Sequence, residues 1–421
     1  MHGSARDRLA HGRAIPDDSV APLRRAGQPG QARAQYRPPG GHYDFLVHAG
    51  VSAATLAISE AEGRRCGVAT HKVLLSAGLI SQPAYCSALA GWLGVPVAGW
   101  DAVFDLEAPG DADDVKGKGV PAHFGGGSYR VLCAEDETPD VLRQRVAHLQ
   151  AQGLNVALCA RFRLDAALEA HLRAERLAHA VGSLFRDQPA CSAAGPIWIW
   201  QVIAAAIAVG LIIGGFSVLP GTTIAALSGI IAVPFLCVTL LRVVALREVI
   251  GSPREDMRRQ GPIVASLPQT LPLYTVMVPL FREAKVLPGL VQSLQALAYP
   301  RAKLEILLVL EAIDTETQAA VLAMRLPGNF RTVIVPDGAP RTKPKALNYA
   351  MQFARGEYVV VYDAEDRPEP DQLLRALTAF EHGPAQLGCV QAQLNIYNPR
   401  SSWLTRGIMA QTPLEVNPSP T

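Results

Sequence analysis

Four carboxylates, Asp363, Glu365, Asp366 and Glu369, fall within seven positions directly after the apolar run 358–362, "YVVVY". Two chemistries fit so much negative charge at the end of a strand. It is either a solvated strand end, or a seat for a divalent cation and the phosphates that travel with it. Carboxylates are hard oxygen donors and suit Mg²⁺ or Mn²⁺. A second charged stretch, "RTKPKALNYA", supplies Arg341, Lys343 and Lys345 just ahead of a helical pattern. Further polar residues follow other apolar runs: Arg282 and Glu283 after "LYTVMVPL", Glu311 and Asp314 after "LEILLVL". Taken singly each signal is weak, because an Asp-x-Glu triplet alone is more often a solvated loop.

The elements that must position these residues give the order its meaning. From residue 273 onward strands and helices alternate. Strands are expected at "LYTVMVPL", "LEILLVL", "RTVIVP", "EYVVVYD" and "GCVQAQLNI", with helices at 284–298, 315–325, 344–354 and 370–382. Continuous apolar strands between amphipathic helices predict an α/β fold with a parallel sheet covered on both faces. In such sheets ligands bind beyond the carboxyl ends of the strands, where these charged residues sit. Carboxylates and lysines at one such mouth suit a nucleoside diphosphate sugar, whose leaving diphosphate needs a cation to neutralise its growing charge.

Upstream, 197–219 carries no charge, and 223–246 is a second apolar run with its first charge at Arg242. Each is long enough to span a hydrocarbon core of about 30 Å. Trp198 and Trp200 stand at the interfacial position, and Pro220-Gly221 reads as the turn between the runs. A buried hairpin in a soluble core is the competing reading. Arg242, Arg247, Arg254, Arg258 and Arg259 follow the second run, while the turn is uncharged. The positive-inside rule therefore predicts a transmembrane hairpin in a lipid bilayer with both ends in the cytosol.

The chain has 421 residues, enough for several domains. Residues 1–44 hold seven arginines and no apolar core segment, so they read as a disordered basic tail without a signal peptide. Residues 45–110 read as a small helical module, with Ser81 as a helix cap and Gly78 and Gly94 as helix ends. Residues 111–190 read as a small α/β region. It has a loop at 112–128, strands at "YRVLCA" and "LNVALCA", and helices from Thr138 to Gln152 and over 164–182. Seven cysteines without a Cys-x-x-Cys pair fit reduced thiols rather than disulfides or zinc. A net charge of +2 gives no global field for nucleic acid.

Residues 272–410 resemble a family 2 glycosyltransferase, the membrane-linked group that includes cellulose, hyaluronan and chitin synthases. The resemblance rests on "VMVPLFRE", "ILLVLEAID", "TKPKALNYA", "VVVYDAEDRPEPDQL" and "VQAQLNIYNP". It implies a GT-A-type (Rossmann-like) fold, a UDP-sugar donor, a polysaccharide acceptor and a divalent cation, Mg²⁺ or Mn²⁺. By motif position Glu283 and Glu311 fall where the family contacts base and ribose. Lys343, with Lys345 beside it, falls where the family contacts the donor diphosphate. Asp363 and Glu365 occupy the Asp-x-Asp position, with Glu365 replacing the second Asp and Asp366 as an additional metal ligand; Asp363 also counts among the donor contacts. Glu311-Ala312-Ile313 departs from the paired aspartates usual there.

Residues 64–97 more loosely resemble the N-terminal domain of type II secretion ATPases, some relatives of which bind cyclic di-GMP. That ligand stands there as an expectation against a purely structural module. The whole layout resembles bacterial exopolysaccharide synthases of the XagB-like type, which implies the bacterial inner membrane. The family's general base lies in a Thr/Ser/Glu-Glu-Asp motif, followed by Gln-x-x-Arg-Trp. Neither occurs here, and 411–421 reads as a polar tail. The expectation is a chain lacking its catalytic base, with a catalytically inactive remnant or a regulatory nucleotide-binding membrane protein as the alternative.

Overall fold

The structure is a computed structural model, and it describes residues 43–106, 119–193, 197–251, 271–384 and 386–392. The expected tails at 1–44 and 411–421 lie, but for residues 43 and 44, outside the described residues.

Four helices open the described chain: α1 (Phe45–His48), α2 (Ala53–Cys66), α3 (Thr70–Ser76) and α4 (Gln82–Leu93). Ser81 caps α4 by accepting from the Ala84 N–H at 3.3 Å, and Gly94 ends it with φ +69°. Both follow from residue type, since a hydroxyl satisfies an orphan amide and glycine tolerates the left-handed conformation. A four-stranded sheet follows: β1 (Val103–Phe104), β2 (Val120–Phe124), β3 (Gly127–Cys133) and β4 (Val156–Cys159), in that spatial order. The first three strands are antiparallel and β4 joins β3 in parallel. The expected loop at 112–128 is corrected over its second half, where β2 and β3 form a hairpin. Gly125 and Gly126, with φ +56° and +77°, make the two-residue turn that matches strand twist.

Helix α5 (Pro139–Ala151) packs beside this sheet, and α6 (Arg161–Asp187) leaves it. At 27 residues α6 is about 40 Å long, well beyond the expected 164–182.

Next come α7 (Ile199–Val218) and α8 (Pro220–Gly251), two helices long and apolar enough to cross a membrane. Their apolar side chains face outward, with none of α7 buried. The expected turn at Pro220-Gly221 is shifted, because Leu219 alone links the helices and Pro220 already begins the second. Proline suits a helix's first position, where its missing N–H has no partner to lose.

The C-terminal region alternates β5 (Tyr274–Leu280), α9 (Leu287–Gln295), β6 (Leu304–Glu311), α10 (Thr315–Ala323), β7 (Phe330–Val335), α11 (Lys343–Met351), β8 (Tyr358–Val361) and α12 (Gln372–His382). The four strands are parallel in the order β7-β6-β5-β8. The expected strand at 388–396 does not form over 388–392, and its remainder lies outside the described residues. Every residue of β6 from Leu304 to Leu310 is buried, as a two-faced strand requires.

Each sheet face has its own core. One is closed by Leu287, Leu290, Leu294, Val321 and Leu373 of α9, α10 and α12. The other carries Met277, Leu307, Val309, Val333 and Val335 against Ala346, Tyr349 and Ala350 of α11. Leu177 and Ala180 of α6 complete that second core. Among the described residues of this region, the β7-to-β8 crossover alone places a helix on this face, the nine-residue α11. An upstream helix supplies the rest.

Candidate active site

The chain runs outward from β5 through β6 to β7, then returns to the other flank of β5 as β8. Strand order reverses there, and a parallel sheet leaves its crevice at such a point. Glu283 follows β5 and Asp363 follows β8, so the two flank that crevice.

The β5 side is built by a stitched turn. Arg282 adopts φ +59°, a conformation uncommon outside glycine. Its N–H donates to Asp314 Oδ2 at 2.5 Å, and the Glu283 N–H donates to Thr317 Oγ1 at 3.2 Å. Asp314 also caps α10 by accepting from the Thr317 N–H at 3.1 Å. Burial pushes the Asp314 carboxyl up, but these hydrogen bonds outweigh it and hold the group below its ordinary value. The result aims Glu283 inward, where its Oε2 is buried without a hydrogen-bond partner. Burial raises its pKa, and the charges of Glu365 and Asp363 raise it further against an opposing pull from Lys343. The same four side chains thus share one electrostatic neighbourhood.

On the β8 side the Asp363 N–H donates to Asp366 Oδ2 at 2.8 Å, and the Asp366 N–H donates to Asp363 O at 3.0 Å. This reciprocal turn fixes the backbone at Asp363. Lys343, at the first position of α11, forms an ion pair with Asp363 Oδ1. Both are about half exposed, so the pair opens to solvent at the crevice.

The sequence-predicted residues therefore divide. Glu283, Lys343, Asp363 and Glu365 come together. Asp366, expected as an additional metal ligand, accepts the Asp363 N–H with one of its two carboxylate oxygens and so also shapes the turn. Lys345, expected beside the diphosphate-contacting Lys343, is buried: its side chain is 1% exposed, and it reaches Glu311 Oε2 at 3.3 Å and Gly338 O at 3.2 Å. Glu311 is accordingly occupied by that pair. One helical turn separates nothing here; residues 343 and 345 face differently because successive helix positions rotate by about 100°.

Sequence reasoning missed the Glu305 network. Glu305, 4% exposed within β6, accepts from Thr275 Oγ1 at 2.9 Å, the Arg355 N–H at 3.0 Å and Arg355 Nε at 2.7 Å. A lone acid inside "LEILLVL" was the available signal, since a buried charge must be paired. It lies at the strand ends opposite the crevice and braces the sheet.

Among the described residues no group of three His, Cys, Asp or Glu side chains is placed to hold a metal ion by itself. Asp363 and Glu365 instead offer two carboxylates two positions apart just after β8. That set fits Mg²⁺ or Mn²⁺ as these ions are usually held, by one or two carboxylates with phosphate oxygens and water completing the shell.

Comparison with known proteins finds its matches in this same region. The family model Glycosyl transferase family 2 matches residues 275–418, so the chain carries a family 2 glycosyltransferase domain. The beta-monoglucosyldiacylglycerol synthases of Nostoc sp. and Trichormus variabilis are each 26% identical over 181 residues, 42% of this chain and 36% of theirs. The chain spans about a third of the length of these curated relatives. A mannosyltransferase from Pyrobaculum calidifontis, solved with GDP-Man and Mn²⁺, is 28% identical over 40% of this chain and 46% of its own, with a TM-score of 0.29.

Proposed function

We propose that the chain is a membrane-anchored glycosyltransferase whose crevice at β5 and β8 binds the diphosphate of a UDP-sugar. One observation carries the reading: Glu283, Lys343, Asp363 and Glu365 converge at the strand-order reversal of a parallel sheet inside the matched family domain. A divalent cation at Asp363 and Glu365 would neutralise charge developing on the leaving diphosphate. Lys343, at the start of α11, places a second positive charge beside the same carboxylate. Glu283 is the one carboxylate there with a buried oxygen free to accept, which suits a hydroxyl or N–H of the nucleoside. Lys345 and Glu311 form a separate, largely buried pair behind the start of the same helix and the end of β6.

The outward-facing α7–α8 hairpin supports bilayer anchoring, with both soluble regions on the cytosolic side of a bacterial inner membrane. The acceptor is a growing polysaccharide on the family resemblance. A diacylglycerol acceptor is the second reading, favoured by the similarity to the beta-monoglucosyldiacylglycerol synthases of Nostoc sp. and Trichormus variabilis. Cyclic di-GMP binding at 64–97 stays a separate proposal, to be tested by its own titration. No described residue is assigned as the general base.

The test is titration of the detergent-solubilised full chain with UDP, UDP-glucose and UDP-N-acetylglucosamine, with and without Mn²⁺. Binding should require the ion. Asp363→Ala should weaken it at least about tenfold, as loss of a charge-assisted contact does. Equal affinity in the variant would remove Asp363 from the site. Supplying a glucan oligosaccharide or a diacylglycerol with the labelled donor then separates the acceptors.

A further inference from the structure

Helix α6 begins in the N-terminal sheet and ends against the C-terminal one. At its start Asp165 binds Arg161 at 3.0 Å on its own helix and Arg331 of β7 at 3.0 Å. Further along, Arg176 stacks over Phe353 at 4.4 Å. Leu177 packs against Gly338, where an added Cβ would lie 3.2 Å from Leu177 Cδ2. The carbonyl of that same Gly338 accepts from Lys345.

Two amide side chains add a register. Asn348 Nδ2 donates to Ala180 O at 3.1 Å, and Gln352 Nε2 donates to Arg176 O at 3.0 Å. The donors are four residues apart at α11, and the acceptors are four residues apart on α6 in the reverse sense. One helical turn on each therefore matches the other. Each acceptor is a mid-helix carbonyl, whose second lone pair remains available after the helix's own hydrogen bond. Sliding or rotating α11 breaks both bonds together.

Lys343 is the first residue of α11, so the position of this helix sets where its ammonium stands relative to Asp363. We infer that Asn348 and Gln352 are positioning residues, and that α6 is the strut that holds the lysine-bearing helix in register with the metal-site carboxylates. The N-terminal unit is thereby a working part of the donor site. The inference rests on the UDP-sugar reading for its functional consequence, while its mechanical part is independent of any ligand.

The test uses the full chain in detergent and two readouts. The variants are Asn348→Leu and Gln352→Met, which keep bulk and remove the donor, and Leu177→Ala on the strut side. Without nucleotide, amide hydrogen exchange over 337–351 should accelerate in each, with exchange in β5 and β6 unchanged. With UDP and Mn²⁺, affinity should fall about threefold to tenfold per variant, the scale of one hydrogen bond. Gln352→Lys restores a donor and should recover affinity. Unchanged exchange over 337–351 overturns the inference whatever UDP does. Accelerated exchange with full UDP affinity also overturns it, leaving α6 as packing alone. A native chain that binds no UDP refutes the donor reading, and the exchange result still decides whether α6 holds α11.

Discussion

The chemistry rests on a few side chains held in costly states. Glu283 carries a buried oxygen without a partner, beside two other carboxylates. Its pKa is raised in the folded state, so the folded protein gains stability as pH falls and loses it as pH rises through the raised value. Glu283→Gln removes that titration. The variant should melt above the native chain at about pH 8 and level with it at about pH 4, while nucleotide affinity drops. A lower melting point at about pH 8 would mean that the Glu283 ionised form is held by contacts of its own. Much of this cluster was legible in sequence, because Glu283, Lys343 and Asp363 each follow an apolar run at the end where ligands bind. Which lysine faces the crevice was not legible. Lys343 and Lys345 differ by two positions on one helix, and only the packing of Gly338 and Glu311 turns the second inward.

At the scale of elements, α6 starts at a titratable joint. Glu135 accepts from the Arg161 N–H at 3.1 Å, and Asp136 pairs with the Arg161 guanidinium at 2.6 Å. Burial raises Glu135 from 4.5 to about 7, against the lowering pull of that hydrogen bond and the Arg161 charge. The raised value favours folding at acid pH, fully below about pH 4.5 and lost as pH climbs through about 7. The ionised form costs the folded state at most roughly 3 kcal/mol at high pH. Glu135→Gln should flatten this dependence, read as thermal unfolding of the full chain between about pH 5 and pH 8. An identical slope in the variant would place the titration elsewhere. The periodicity of 164–182 announced a helix here, but neither its length nor its partners. Sequence period reports that one face is apolar, and α6 meets a sheet whose first strand begins only at Tyr274. The β2–β3 hairpin was hidden for a local reason: glycines on both sides of a short strand read as loop until their positive φ is seen to close a turn.

For the whole molecule, α6 crosses the boundary expected between 111–190 and 272–410, so these are two folds sharing one core. A fragment of residues 272–421 would bare Met277, Leu307, Val309, Val333 and Val335 where Leu177 and Ala180 now lie. It should be recovered mainly as aggregate, while co-expression with residues 43–193 should return soluble complex; a monodisperse, cooperatively melting fragment would contradict the shared core. The order of strands and helices was readable because each strand is apolar throughout. The sharing was not, since it lies in contacts between distant segments. The link between α7 and α8 has a consequence of another kind. With Leu219 alone joining two long apolar helices, a bilayer crossed by both would hold no loop of this hairpin on its far side. Under the proposed anchoring, proteases, antibodies and extracellular ligands would find no handle there, and whatever governs this hairpin would have to reach it from the cytosol or through the lipid.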